Sequence, residues 1–397
     1  MSENTPDSAT GAERLLTTID EYLQWMKDMG YSESAVQSRR QTLMVFYSFV
    51  RGRQLPWDRV FTLKTFSAFQ GRSPSPTVQN ILKGMAKYLF ERKQIDKPLR
   101  QTRRLPQIYE QYLDFYEQTH EVQCGTLVSI GRILFLFHQH LQKSNLQFSR
   151  LSIEQVDAFL GKLSARYARA SCRLYRTYLR GFLRYLYRPC GILKRDIAPL
   201  VVGPPHFDRA KPPRFLRPNE IKKLFDDLGT KLSTAKELRN YAMVHLAYMM
   251  GLRPGEISLI KLDDISFIDR QLRLPRRKNA HPVTLPVPEE TLKAIAAFLV
   301  GGRPKSNSRR LFLNLKPPWR PISARMVCLC IGKCMKDLGL PASAYWLRHS
   351  YAQNLLEAGR SIYEIKEMLG HEHIETTRKY LSVHGKLMRE VLFDETL

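Results

Sequence analysis

The stretch Leu369-Gly370-His371-Glu372-His373-Ile374-Glu375-Thr376-Thr377-Arg378-Lys379-Tyr380 sets a tyrosine nine residues after a histidine. A tyrosine acts as a covalent nucleophile only where its surroundings offset an ordinary pKa of about 10. Its company has therefore to be sought elsewhere in the chain. Three basic positions stand out: Arg253 in Gly251-Leu252-Arg253-Pro254-Gly255-Glu256, Arg348 in Tyr345-Trp346-Leu347-Arg348-His349, and Lys278 in a basic turn between two strand-like runs. Arg253 falls in a sharp turn between helices, where Glu256 is positioned to brace its guanidinium.

Composition narrows the partner. The chain has 397 residues, enough for two or three domains with separate cores. Lys and Arg number 63 against 37 Asp and Glu, a formal charge of +26, which is the footprint of a protein that meets a polyanion. No apolar run reaches the roughly 18 to 20 residues of a spanning helix, so a membrane is not expected as partner. The polar, slightly acidic start lacks the charged and apolar regions of an export signal, and the expected location is the cytoplasm, with the nucleoid. The six cysteines, at 124, 172, 190, 328, 330 and 334, show no CxxC spacing. They read as reduced small hydrophobes, without disulfides or a zinc site; on a helix, 330 and 334 share a face and 328 points away.

Along the chain, residues 1–15 read as a flexible tail and 16–100 as a helical unit, with helices from Ile19, through Leu43 to Val50, Leu63 to Phe69 and Val78 to Phe90. The plan then recurs over 105–190. Tyr22-Leu23 matches Tyr112-Leu113 and Phe66 and Phe69 match Val156 and Phe159 at an offset of 90, while Lys87-Tyr88-Leu89-Phe90 matches Arg184-Tyr185-Leu186-Tyr187 at 97. In the last helix of the second unit Arg166, Arg169, Arg173, Arg176, Arg180, Arg184 and Arg188 recur every three or four residues, with Tyr175, Tyr178, Leu179, Phe182 and Leu186 opposite. No acidic residue interrupts them, whereas an ordinary solvated face mixes signs. The stripe is expected to meet DNA phosphates or a groove, with Lys83 and Lys87 a thinner version in the first unit. Prolines cluster over the expected linker 191–214, and the C-terminal domain spans 215–397. There a helix opens at Pro218, the apolar helix Tyr241 to Met250 stops at Gly251, and Ile265 to Pro286 forms a three-stranded antiparallel sheet. Helices follow over 289–299, 322–338, 348–358 and 361–369, and a short one carries Tyr380.

These boxes, in this order, resemble those of the tyrosine recombinases, also called the phage integrase family, at motif level over Phe215 to Leu397 and more loosely over Leu105 to Pro189. The resemblance implies a mainly helical fold with a small β-sheet, two helical DNA-binding units and a catalytic domain. It implies DNA cleavage and rejoining through a 3′-phosphotyrosine, with Tyr380 as nucleophile, Arg253, Arg348 and His371 on the phosphate, and Lys278 as general acid; Arg277 is the alternative in that hairpin. Neither a metal nor a nucleotide cofactor is expected, in keeping with the lack of a phosphate-cradling glycine loop. Double-stranded DNA is the expected partner, bound as a homotetramer on paired sites with the C-terminal tail packing on a neighbour, and with scope for an accessory DNA-bending protein. The expected task is integration or excision of a mobile element, or resolution of DNA molecules; a telomere resolvase and a non-catalytic DNA-binding accessory protein are the alternatives. Type IB topoisomerases share the nucleophile logic, but the tandem helical arm fits site selection better. One position departs from the pattern: Tyr345 stands where the family most often has histidine, and tyrosine is a poor base near neutrality. His349, about 100° further round the helix from Arg348, is expected to cap or pack.

Overall fold

The computed structural model describes residues 11–70, 75–95, 105–120, 122, 124–203, 213–274, 282–378 and 380. The basic turn with Lys278, Arg276 and Arg277, and the tail from 381, lie outside them. The chain divides into two compact units, residues 98–208 and a second made of 1–97 with 209–397.

In the discontinuous unit, five helices come first: α1 (Gly11–Asp28), α2 (Glu33–Gly52), α3 (Trp57–Val60), α4 (Leu63–Gln70) and α5 (Pro76–Glu91). Helix α1 begins inside the stretch expected to be a tail, because Leu15 is apolar, in helical register with Ile19 and Tyr22, and fully buried with them. Ser32 caps α2 by accepting the Ala35 N–H. The α1 ring Tyr22 meets Tyr88 of α5 with centroids 5.0 Å apart, and a Cβ on Gly84 would stand 3.3 Å from its hydroxyl. The face of α5 that carries Lys83 and Lys87 ends in Glu91, which pairs with Arg320 of the C-terminal part at 2.8 Å.

The contiguous unit holds α6 (Gln107–Thr119), α7 (Cys124–Lys143), α8 (Ile153–Ser164) and α9 (Arg169–Tyr187). Its packing repeats that of α1 to α5. Tyr112 of α6 meets Tyr185 of α9 at 5.2 Å, and a Cβ on Gly181 would stand only 2.5 Å from the Tyr112 hydroxyl. The sequence offsets are again 90 and 97. Cys172, Tyr175, Tyr178, Leu179, Phe182, Leu183 and Leu186 are the buried face of α9. Arg169, Arg173, Arg180 and Arg184 are exposed on α9, Arg188 is exposed at its C-cap, and Arg166, expected on this helix, is exposed in the turn before it because α9 starts only at Arg169; Arg176 is half-buried because its guanidinium lies against Gly203. Packing does not end with the helix at Tyr187. Leu193, Ile197, Ala198 and Val201, in the segment expected to be linker, close the same core, since their apolar side chains recur between the prolines.

The C-terminal part contains α10 (Pro218–Thr230), α11 (Ala235–Met249), α12 (Pro254–Leu259), strands β1 (Ile265–Ser266), β2 (Gln271–Leu274) and β3 (Val283–Pro286), then α13 (Glu289–Gly301), α14 (Ala324–Asp337), α15 (Ala344–Glu357), α16 (Ile362–Leu369) and α17 (Glu375–Arg378). The sheet is antiparallel in the order β1-β2-β3, with Leu272 opposite Leu285 and Leu274 opposite Val283. Leu272 and Leu274 point inward while Gln271 and Arg273 face solvent, the alternation of a half-buried strand. Helix α11 runs through the core and is buried on most sides, as Ala242 to Ala247 show. Its His245 sits against Phe225 and Tyr241, and burial pushes its pKa down to about 4, so it packs as a neutral ring. On α14, Cys334 is buried and receives the Asn240 amide, while Cys330 receives Arg239. Among the described residues Cys172, Cys190, Cys328, Cys330 and Cys334 are free, no helix is long and apolar enough to cross a membrane, and no group of His, Cys, Asp and Glu could hold a metal ion.

Candidate active site

Four backbone elements converge on one cluster. Helix α11 stops at Gly251, whose φ of +60° suits glycine. A side chain there would also strike the Tyr351 ring, 2.4 Å from the position of a Cβ, so this glycine lets the turn lie against α15. Two residues on, Arg253 is the N-cap of α12. Its N–H donates to Glu256 Oε2 at 2.7 Å and its Nη1 to Glu256 Oε1 at 2.8 Å, so one carboxylate fixes both ends of the arginine. Arg253 Nη2 donates to the Gly370 carbonyl at 3.0 Å. Glu256 is itself buried, and the two guanidiniums beside it supply the charge such burial needs.

Arg348 comes from the first half of α15 and is only 3% exposed. It donates to the carbonyls of Gly251 and, at 2.6 Å, Leu369, and its Nη1 lies 3.8 Å from Glu256. Its Nη2 also reaches His371 Nε2 at 3.2 Å. A guanidinium only donates, so His371 Nε2 accepts, and the ring proton sits on Nδ1, which donates to Thr377 Oγ1 at 2.8 Å. His371 is delivered by the end of α16. Ser361 and Glu364 cap the helix start reciprocally, and Gly370 closes it at φ +60°. Thr377, fully buried, was visible in the sequence only as part of the spacer before Tyr380.

Tyr380 is 2% exposed and lies beyond α17, in the turn closed by its N–H on the Thr377 carbonyl; the short helix expected to carry it ends at Arg378. Burial raises its pKa, while Arg348 and Arg253 pull in the opposite direction. Its hydroxyl lies 2.7 Å from His349 Nδ1. This corrects the expected role for His349 as a mere cap or packing residue. The 100° that turns it from Arg348 turns it onto the face shared with Ala352 and Leu356, and that face packs against Ile365, Leu369 and Tyr380. Tyr345 is 49% exposed on the first turn of α15. Arg253, Arg348, His371 and Tyr380 are thus brought together, Tyr345 is on the surface, the α9 arginines belong to the other unit, and Lys278 lies outside the described residues.

Residues 214–386 match the model of the phage integrase family. Over 298 residues the chain is 30% identical to the tyrosine recombinase XerD of Mycobacterium tuberculosis, covering 70% of this chain and 94% of that one. It is also 31% identical over 273 residues to a Sinorhizobium fredii protein assigned as an integrase/recombinase, y4rF; that match takes in 67% of this chain but 63% of the relative. Among solved structures, the XerH site-specific recombinase bound to palindromic difH substrate in a post-cleavage complex aligns with a TM-score of 0.58 at 15% identity, over 99% of each chain, a likeness of fold. Motif order, site geometry and these relatives agree, and the chain belongs to the tyrosine recombinase, or phage integrase, family of enzymes that cut and rejoin DNA through a phosphotyrosine.

Proposed function

We propose that the chain is a site-specific recombinase of double-stranded DNA that integrates or excises a mobile element or resolves joined DNA molecules. Tyr380 Oη attacks a backbone phosphorus, the P–O5′ bond breaks, and a 3′-phosphotyrosyl bond and a free 5′ hydroxyl result. Rejoining reverses the step, so no bond energy is lost. Arg253 and Arg348 neutralise the non-bridging oxygens, for which paired, permanently charged donors are suited. These donors also bond the carbonyls of Gly251, Leu369 and Gly370, which set the direction of both guanidiniums. His371 completes the phosphate site once its Nε2 carries a proton, and Lys278 protonates the leaving 5′ oxygen. The arginines of α9 hold the duplex backbone, and a homotetramer forms on paired sites through the tail after Tyr380, with a DNA-bending protein as accessory.

The observation that carries this reading is one cluster in which Tyr380 packs with Leu369 while two guanidiniums from separate boxes donate to the Leu369 and Gly370 carbonyls. A covalent trap tests it. DNA fragments flanking the gene, nicked so that cleavage cannot reverse, are incubated with wild type and Tyr380→Phe and run on a denaturing gel. A protein–DNA adduct with wild type alone is expected, and sequencing its DNA locates the site. Tight binding without an adduct would favour a non-catalytic DNA-binding protein, the reading that the solvent-facing Tyr345 at the usual histidine position keeps in play.

A further inference from the structure

A phenol attacking phosphorus must give up its proton, and the residue in the usual histidine position, Tyr345, is a poor acceptor on the surface. The other groups around Tyr380 are unsuited. Arg253 and Arg348 do not deprotonate. His371 is engaged at both ring nitrogens, by Arg348 and by Thr377. One imidazole does touch the phenol: His349, with Nδ1 2.7 Å from Oη and ring centroids 5.5 Å apart at 57°. Its position is not incidental, because Ala352 and Leu356, one and two turns further along α15, pack with Tyr380 in one apolar cluster and so hold the phenol against the helix face that carries His349.

We propose that His349 is the proton acceptor for Tyr380, replacing from the other side of Arg348 the histidine that the chain lacks at 345. The inference rests on Tyr380 being the nucleophile. As Oη bonds to phosphorus, its proton passes to His349 Nδ1, giving an imidazolium, while the electron pair of the P–O5′ bond leaves with the 5′ oxygen, which takes a proton from the general acid. On rejoining, the 5′ hydroxyl attacks, the Oη–P bond breaks, and the imidazolium returns its proton to Oη. Among the described residues, the charged groups that act on Tyr380 are Arg348 from α15 and Arg253 from the start of α12, with Glu256 between them. The two cations favour the phenolate, and the imidazole can take the phenol's proton only from its neutral form, gaining charge as the phenol's negative charge passes to the phosphate.

The test uses the full chain and a duplex carrying the trapped cleavage site, made once with the ordinary phosphodiester and once with sulfur bridging at the 5′ position. The sulfur leaves without a proton, so it restores a variant lacking the general acid but not one lacking the base. His349→Ala is expected to slow adduct formation about 100-fold or more on both substrates, with the DNA dissociation constant unchanged and partial recovery in added imidazole. His349→Asn keeps a hydrogen-bonding atom near the Nδ1 position but takes no proton. It should be equally slow and lose the acid-side fall of the wild-type rate that protonation of a catalytic base produces. A near-wild-type rate for either variant, or recovery of His349→Ala on the sulfur substrate, would overturn the assignment. In the DNA-free protein, nitrogen-15 histidine resonances should show His349 with its proton on Nε2 and should move in Tyr380→Phe; a proton on Nδ1 would equally count against it. Absence of an adduct with wild type on both substrates would instead remove Tyr380 as nucleophile.

Discussion

In the first helical bundle the tyrosine of the opening helix rests over Gly84; in the second its counterpart rests over Gly181, and each meets a tyrosine four residues after its glycine. At this contact the two interiors correspond. The outer faces of the same two helices do not: α9 shows arginine after arginine, while α5 shows Lys83, Lys87 and Glu91, the last tied to Arg320. Interior geometry restrains which residues fit, since a core tyrosine against a glycine leaves little space for a larger side chain, whereas an exposed turn accepts either charge sign at little cost. Two copies of one bundle can therefore keep a common core and part in what they bind. The first-copy tyrosine differs in one internal respect. Arg39 lies beside Tyr22 and opposes the rise in its pKa, while Tyr112 is buried with no hydrogen-bond partner for its hydroxyl among the described residues.

That last difference predicts the largest effect. Burial raises the pKa of both Tyr109 and Tyr112, so above about pH 10 the unfolded chain loses these protons before the folded one does. Stability is complete below that pH and falls as pH rises through the window above it, by up to about 1.4 kcal/mol per pH unit for each tyrosine. Urea unfolding between pH 9 and 11.5 should show this loss, and Tyr112→Phe should flatten it more than Tyr22→Phe. Equal flattening would mean that the two interiors are alike in electrostatics as well as in shape. The outer faces are compared next, by DNA binding. Replacing Arg180 and Arg184 with alanine should weaken binding about 10- to 100-fold and lower the salt slope by about 0.9 for each phosphate no longer neutralised, while replacing Lys83 and Lys87 should change little. A shift assay at several salt concentrations, with circular dichroism on each variant, would decide; similar losses from both pairs would make the two faces functionally equivalent.

Much of this was legible in the sequence because it is local. Apolar residues at helical spacing located the bundles, alternation around Asp269-Arg270 located the sheet, and Arg253 with Glu256 three residues on, across Pro254 and Gly255, announced its own brace. The His349 contact was not legible in the same way. Helical geometry says that position 349 faces away from 348, but not that the chain returns thirty-one residues later to meet it. Ala352 and Leu356, three and seven residues further on, were the available signal that this face is buried. Likewise the prolines after Tyr187 suggested an extended linker, although Leu193, Ile197 and Val201 among them close a core. The turn with Lys278 and the tail beyond Tyr380 lie outside the described residues, so those expectations stand as proposals.

The smallest expected effect separates the two interiors most sharply, because it sets the same substitution in two versions of the same contact. Alanine in place of glycine inside a helix gains about 1 kcal/mol from reduced backbone freedom. At Gly84 the new Cβ would stand 3.3 Å from the Tyr22 hydroxyl, a gap that a shift of a few tenths of an ångström relieves, so Gly84→Ala should be neutral or slightly stabilising. At Gly181 it would stand 2.5 Å from the Tyr112 hydroxyl, on a ring held between Tyr185 and Phe182. The ring has to move, and overpacking of this kind costs about 1 to 3 kcal/mol, so Gly181→Ala should be destabilising by about 1 kcal/mol net. Adding Tyr112→Phe removes the oxygen in the way and an unpaired buried hydroxyl together, and should restore the missing stability, a coupling that a double-mutant cycle in urea would measure. If Gly181→Ala were as mild as Gly84→Ala, the second core would be loose enough to let Tyr112 retreat, and the fixed tyrosine–glycine contact would not be what the two bundles have in common.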